Sequence, residues 1–357
     1  MLIFFIVIVG LSILILSHEA GHFFAAKFFN LKVDEFGFGF PPRMFAWRPF
    51  GAAQGKKGET EYSFNWLPFG GFVKIAGENG EFGSDPASAR EEISPEEKSR
   101  LFSNQSAFRR SIIILAGVVM NFLIGWLLLS AVLMIGTPPA LVITDVQPGS
   151  PAEAAGITGG DIIRNFSDSQ SFISFVNERR GQPTTITVFR GGEELSFTAT
   201  PRVSVGEKEG PLGVVLVDAG SPPQNPILAL WNGLLSSFDI VRATIAGFYE
   251  LVASLIFKAT LLEGVVGPVG IFTVAQETGK VGIIYLFQLL SLISINLAVV
   301  NLIPFPALDG GRFFMILVEK IKGSPISRKT EAAINAVGFV FLIFLMVAIT
   351  IRDIVNL

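Results

Sequence analysis

The 357-residue chain has no cysteine and only two histidines. Without cysteine there is no disulfide framework and no thiolate zinc site. Charge is scarce too. Only 16% of residues are Asp, Glu, Lys or Arg, where a soluble domain carries about 25%. The formal net charge of −3 and the lack of a basic, aromatic-interleaved patch give no footing for nucleic acid. Apolar residues fill the remainder. Half the chain is hydrophobic, phenylalanine is abundant, and mean hydropathy is +0.56. Several apolar runs exceed the ~18 residues that span a bilayer. The composition predicts a polytopic α-helical membrane protein with a soluble part attached.

Both histidines fall in Ser17-His18-Glu19-Ala20-Gly21-His22, at the end of an apolar run that begins at Met1. On a helix, positions four apart share a face, so His18 and His22 can reach one metal ion. Glu19, beside the first of them, is placed to take a proton from a metal-activated water. With no cysteine in the chain, a third protein ligand is Asp or Glu. Met1 to Leu16 has neither a basic leading region nor an A-x-A-like cleavage site, and reads as a retained first membrane helix. Phe23, Phe24, Phe28 and Phe29 continue the apolar run past the motif. They argue against the alternative that the histidines are ordinary surface residues.

Four spans are expected, at about 2–29, 108–135, 282–318 and 333–351. Between the first two, Lys32, Arg43, Arg48, Lys56, Lys57, Lys74, Arg90, Lys98 and Arg100 place residues 30–107 in the cytoplasm. Within that stretch, Phe36 to Pro42 alternates large and small residues as a strand does. Residues 60–76 read as a hairpin: alternating aromatics, a Pro/Gly turn, then a second strand. Its aromatics are too apolar for an open loop. Either it re-enters the membrane, buried in protein, or it is a small sheet on the cytoplasmic face. Gly117, Asn121 and Gly125, four apart, form a small or polar stripe suited to close helix packing.

Residues 138–220 change character, with short strands, Pro/Gly turns and two short helical stretches; Thr184–Arg190 and Glu194–Thr200 read as a hairpin around Gly191-Gly192. They predict one small α+β domain. The run from Val146 to Ile163, V-x-P-G-S-P-A-x-x-A-G-I-x-x-G-D-I-I, resembles PDZ domains of bacterial proteases, a fold that binds an extended chain by strand addition. Residues 221–281 read as an amphipathic region. The apolar part at 225–265 is interrupted by Asp239, Arg242, Glu250 and Lys258, and suits either a further span or a helix lying on the membrane surface.

Topology separates these two readings. If 225–265 does not cross, the third span runs inward, and Asp309 falls in the same cytoplasmic half as His18. The basic cluster Arg312, Lys320, Lys322, Arg328 and Lys329 then faces the cytoplasm. If it does cross, both agreements are lost. The surface reading is therefore preferred, and Asp309 becomes the third ligand. Two prolines and two glycines in 301–312 must break the helix there, which is tolerated only around a cavity or site. His-His-Asp with an open position is a catalytic zinc pattern, and the N/O ligands favour Zn2+. Asn301 serves either the substrate backbone and oxyanion or the broken helix itself.

The motifs together resemble the site-2 protease family of intramembrane zinc metalloproteases, of the bacterial RseP type. The likeness covers H-E-x-G-H at 18–22, F-G-F-G-F-P-P-R at 36–43, A-G-x-x-x-N-F at 116–122, G-P-V-G-I at 267–271 and N-x-x-P-x-P-x-L-D-G-G at 301–311. It implies that His18, His22 and Asp309 bind zinc and that Glu19 is catalytic. It also implies that the 60–76 hairpin is a membrane-reentrant element whose edge meets the substrate, which nominates Phe64, Asn65, Trp66 and Phe72. Some members carry two tandem PDZ domains, whereas this chain has room for one. The function implied is cleavage of single-span membrane proteins, such as anti-sigma factors or remnant signal peptides, in the bacterial cytoplasmic (inner) membrane. The active site would lie in the cytoplasmic half, with an extracytoplasmic PDZ-like domain that binds or excludes outer segments of substrates. Two readings compete. An inactive adaptor that binds membrane helices has no need of Glu19. A metal transporter needs a path of metal-binding residues, which two histidines and no cysteine do not supply.

Overall fold

The computed structural model describes residues 2–49, 58–78, 94–166, 168–204, 206, 210–258 and 267–355. Lys56, Lys57 and Arg90, used above to orient the first loop, lie outside the described residues, as do residues 259–266 of the amphipathic region. The chain divides into two compact units. One comprises Met1–Leu129, Gly233–Ala275 and Gln288–Leu357; the other comprises Ser130–Asn232 and Gln276–Phe287.

Helix α1 (Leu2–Phe28) begins the first unit. Two 15-residue strands follow, β1 (Val33–Trp47) and β2 (Glu61–Ile75). Residues 60–76 do not close into a hairpin on themselves, contrary to the expectation from their alternation. Phe36 pairs with both Tyr62 and Val73, Gly37 with both Ser63 and Phe72, and Phe38 with both Phe64 and Gly71. The stretch 33–38 is thus inserted between the two arms of β2. Residues 43–47 add a further layer beyond 61–65, through Arg43–Asn65, Phe45–Phe64 and Trp47–Tyr62. The order across the sheet is 43–47, 61–65, 33–38, 71–75. Alternation marks each arm as a strand but does not name its neighbour. Gly37 helps explain the outcome, because a Cβ there would strike the Phe72 ring. The small residues of β1 make room for the aromatics of β2.

Several of the basic residues that mark this region are neutralised on the spot. Arg43 pairs with Glu35 at 2.8 Å and with Glu61 at 2.7 Å, and Arg48 pairs with Glu61 at 2.8 Å. Arg100 and Lys27 converge on Glu59 at 2.6 and 3.0 Å. Partial burial pushes the Glu59 carboxyl up, but hydrogen bonds from Arg100 and Lys27 outweigh it and hold the group below its ordinary value. A short helix α2 (Pro95–Ser99) and a 3-10 turn at Phe102–Asn104 lead into α3 (Ala107–Ile135).

The second unit is built on one antiparallel sheet. Its strands are β3 (Thr137–Val146), β4 (Ile162–Ile163), β5 (Thr184–Arg190), β6 (Glu193–Ala199) and β7 (Val214–Ser221), in the order β6-β5-β4-β3-β7. Two helices, α4 (Pro151–Ala155) and α5 (Ser169–Glu178), complete it. The Gly191-Gly192 turn joins β5 and β6 as the sequence predicts. Alternation in β5 turns Thr184, Ile186 and Val188 inward. Phe172 and Val176, four apart on α5, meet Leu141, Ile143 and Ile163 in the core. Each helix start is capped: Ser150 Oγ accepts from the Glu153 amide at 3.2 Å, and Asp168 Oδ1 from the Ser171 amide at 2.8 Å. Asp161, fully buried, receives Arg190 through two bonds of 2.6 Å. That pair raises the Arg190 guanidinium above its ordinary value.

The chain continues with α6 (Pro226–Lys258), α7 (Pro268–Val281), α8 (Ile283–Leu302), α9 (Asp309–Lys322) and α10 (Arg328–Val355). Among the described residues, four helices are long and apolar enough to cross a membrane: Ile3–Phe28, Ala107–Ile135, Ile283–Leu302 and Lys329–Val355. The 33-residue α6 is not one of them. Val337, Phe339, Val340 and Phe344 of α10 are exposed, as suits a surface that faces lipid. The expected third segment, 282–318, is two helices with a break at 303–308.

Candidate metal centre

The site begins where α1 crosses α3. A Cβ at Gly21 would meet the Ala116 carbonyl, and one at Gly117 would strike His22 Nε2. The two glycines let the helices touch, and this brings both histidines of α1 against α3. His22 is 8% exposed, and its Nδ1 lies 2.8 Å from the Ile113 carbonyl oxygen. A carbonyl only accepts, so Nδ1 carries the proton and Nε2 is left with a bare lone pair. His18 Nδ1 lies 3.2 Å from the side-chain amide of Asn121.

Asp309 enters from the other side, as the first residue of α9. Cβ atoms at Gly310 and Gly311 would collide with the carbonyls of Leu302, Ile303 and Phe305. Only glycine lets the chain fold back so tightly after α8. Ala307, with φ of +71°, donates its amide to Asn335 Oδ1 of α10 at 3.2 Å. The break is therefore braced from a distant helix. Asp309 Oδ2 ends 3.1 Å from His18 Nε2 and 3.4 Å from His22 Nε2, and the two Nε2 atoms are 3.2 Å apart.

This donor set fits a divalent cation. The ligand atoms of His18, His22 and Asp309 lie within 4.8 Å of one another. Asp309 Oδ2 is buried without a hydrogen-bond partner. A carboxylate facing the bare Nε2 of His22 is repulsive unless positive charge sits between them. Two imidazoles and a carboxylate suit zinc.

Glu19 borders two cavities, of about 450 and 170 Å³. Its carboxylate has no hydrogen-bond partner among the described residues, so it is available to a reacting group. The larger cavity also meets Phe40, Gly70, Gly71 and Asn301. A Cβ at Gly71 would lie 3.4 Å from Glu19 Cγ, which sets the start of the 71–75 arm against the Glu19 side chain. The smaller cavity is lined in part by an ion pair of 2.5 Å between Glu78, just after β2, and Arg312 of α9.

The other nominated residues are distributed unevenly. Asn301 lines the larger cavity at the end of α8, with no side-chain hydrogen bond among the described residues. Phe64 and Trp66 are exposed, at 44% and 62%. Phe72 covers Gly37. Asn65 is buried, and its amide donates to the carbonyls of Phe38 and Gly39 at 3.2 and 3.1 Å. Its donors are used within the sheet. In the sequence Asn121 has the spacing of a packing residue, and nothing there marks Glu78 or Asn335. Their partners are distant in sequence, and no local pattern marks them.

The match to peptidase family M50 runs over residues 6–345, and the chain belongs to that family, the site-2 proteases. It is a zinc metalloendopeptidase of the RseP type, and its cofactor is Zn2+. The regulator of sigma-W protease RasP of Bacillus subtilis is 28% identical over 428 residues, covering 99% of this chain and 98% of its own. The zinc metalloprotease RasP of Geobacillus kaustophilus is 30% identical over 431 residues, with 99% and 97% covered. A Clostridium perfringens relative, CPE1693, is 32% identical over 355 residues, with 98% and 97% covered.

Proposed function

We propose that His18, His22 and Asp309 hold the zinc ion, and that Glu19 is the general base and then the general acid in peptide hydrolysis within the membrane. The observation that carries this reading is the convergence of three ligand atoms within 4.8 Å beside the Glu19 carboxylate, which has no hydrogen-bond partner among the described residues. Zinc supplies Lewis acidity, which polarises a carbonyl and makes water more acidic. Glu19 takes the proton of the attacking water and returns it to the leaving amine. Asn301, at the rim of the larger cavity, donates to the substrate carbonyl oxygen as charge develops there.

The substrate is a single-span membrane protein of the bacterial inner membrane, such as an anti-sigma factor or a remnant signal peptide. A helix hides its carbonyls in hydrogen bonds, so the segment to be cut must first be extended. No strand pairs with the outer edge of 71–75 among the described residues. That edge accepts the extended segment by strand addition. Gly70 and Gly71 keep side chains out of its path, and Phe72 with its neighbours flanks it. Phe64 and Trp66 meet the substrate or lipid further along the sheet. Asn65 acts indirectly, by fixing 38–39. The sheet thereby serves as the membrane-reentrant element.

Residues 30–107 and the zinc centre lie on the cytoplasmic side, α6 lies on the membrane surface, and the PDZ-like unit of 137–221 is extracytoplasmic. That unit excludes substrates whose outer portion is still bulky.

The test is cleavage of a tagged single-span substrate in membranes by the wild type and by Glu19→Gln, with zinc content measured for both. Cleavage by the wild type alone, at equal zinc, is expected. Equal cleavage by both would remove Glu19 from the mechanism.

A further inference from the structure

We propose that Asn121 is a positioning residue of the zinc centre: its side-chain oxygen accepts the Nδ1 proton of His18 and so keeps His18 Nε2 free for the metal. The inference rests on the ligand assignment above and adds to it a residue outside the ligand set.

The two histidines share the same problem. Each imidazole must present a bare Nε2, so each must carry its proton on Nδ1, and a buried N–H needs an acceptor. For His22 the acceptor is the backbone carbonyl of Ile113. For His18 the group facing Nδ1 is the Asn121 amide, at 3.2 Å. Asn121 is 1% exposed, and its Oδ1 is buried with no hydrogen-bond partner. Its backbone is held in turn, because its carbonyl accepts from Ser294 Oγ at 2.8 Å. A half-turn of the amide exchanges Oδ1 and Nδ2 with almost no change in shape. That half-turn solves both problems together: the orphaned oxygen gains a donor, and the His18 proton gains an acceptor. The alternative pairing, Nδ2 donating to Nδ1, forces the proton onto Nε2, where it blocks the metal.

A packing residue would need only the volume of Asn121. A positioning residue needs its oxygen. Asn121→Leu keeps the volume and removes the acceptor; Asn121→Asp keeps both. Zinc affinity of the full-length protein, measured in detergent by competition with a chelator, separates the two roles. Asn121→Leu is expected to bind zinc about 10–100-fold more weakly than the wild type, and Asn121→Asp to stay within a few-fold of it. Similar affinity in all three, or an equal loss in both variants, overturns the proposal.

A second measurement needs no variant. With only two histidines in the chain, 15N-histidine labelling yields four ring nitrogens. In the zinc-loaded wild type both Nδ1 atoms should be protonated and hydrogen-bonded; a His18 ring protonated on Nε2 overturns the proposal. His18→Ala serves as the control for the ligand assignment itself. If it retains zinc, that assignment falls. If it loses zinc while Asn121→Leu keeps full affinity, only the role of Asn121 falls.

Discussion

His18 and His22 meet different kinds of group at Nδ1. Ile113 offers a main-chain oxygen, which any residue at 113 would supply; Asn121 offers a side chain, which only a few residues can replace. The first contact leaves no trace in a sequence. The second leaves one that looks like packing, because Asn121 stands between Gly117 and Gly125 at helical spacing. Gly71 presents the opposite case, a residue whose value is having no side chain. Valine there would place methyl groups between the 71–75 edge and Glu19, in the space an extended substrate must use. Gly71→Val should lower cleavage by about 10²-fold through displacement of the scissile bond, with zinc content unchanged. Lost zinc, or undiminished cleavage, would remove the edge from substrate binding. The histidine pair, Glu19 and Asp309 were legible because scarcity singled them out: two histidines, no cysteine, and one Asp-Gly-Gly inside a membrane run.

Elements were legible to the extent that their signals are local. Apolar length marked α1, α3, α8 and α10, and turn residues marked the β5–β6 hairpin. Partnership was not legible. The insertion of 33–38 between the arms of β2 depends on which strand fills the gap, and alternation carries no such information. The break between α8 and α9 was visible in its prolines and glycines, but its brace, Asn335, comes from another helix. The pair between buried Asp161 and part-exposed Arg190 is likewise a contact between separate elements. Removing the guanidinium leaves the fully buried carboxylate, among the described residues, with only the Thr158 amide as partner. Because Arg190 is partly exposed and solvent screens the pair, Arg190→Ala should destabilise the sheet unit by about 1–3 kcal/mol. Hydrogen exchange of the β3–β7 amides would read this as faster opening, with amides near the metal centre unaffected. Uniform protection across both units would contradict it.

For the whole molecule, the four apolar helices and the M50 family together make a multi-pass membrane protease. The sheet unit is bounded by the pairing of Thr137 with Ser221, so removing it cleanly means removing 137–221. A deletion that stopped short of β7 would leave that strand without β3. The clean deletion should allow cleavage of substrates that still carry a folded outer domain, which the intact protein should cut slowly. If trimming is still required after the deletion, the unit is not a filter. The centre itself has a consequence in time. In order of synthesis, its first two ligands come before the sheet unit, α6 and α8, and the third, Asp309, comes after them. On the ligand set proposed here, the nascent chain cannot hold its metal until α9 has folded back on α8. A copy that has not yet made α9 is then chemically silent, and the sheet unit is complete before the centre can form.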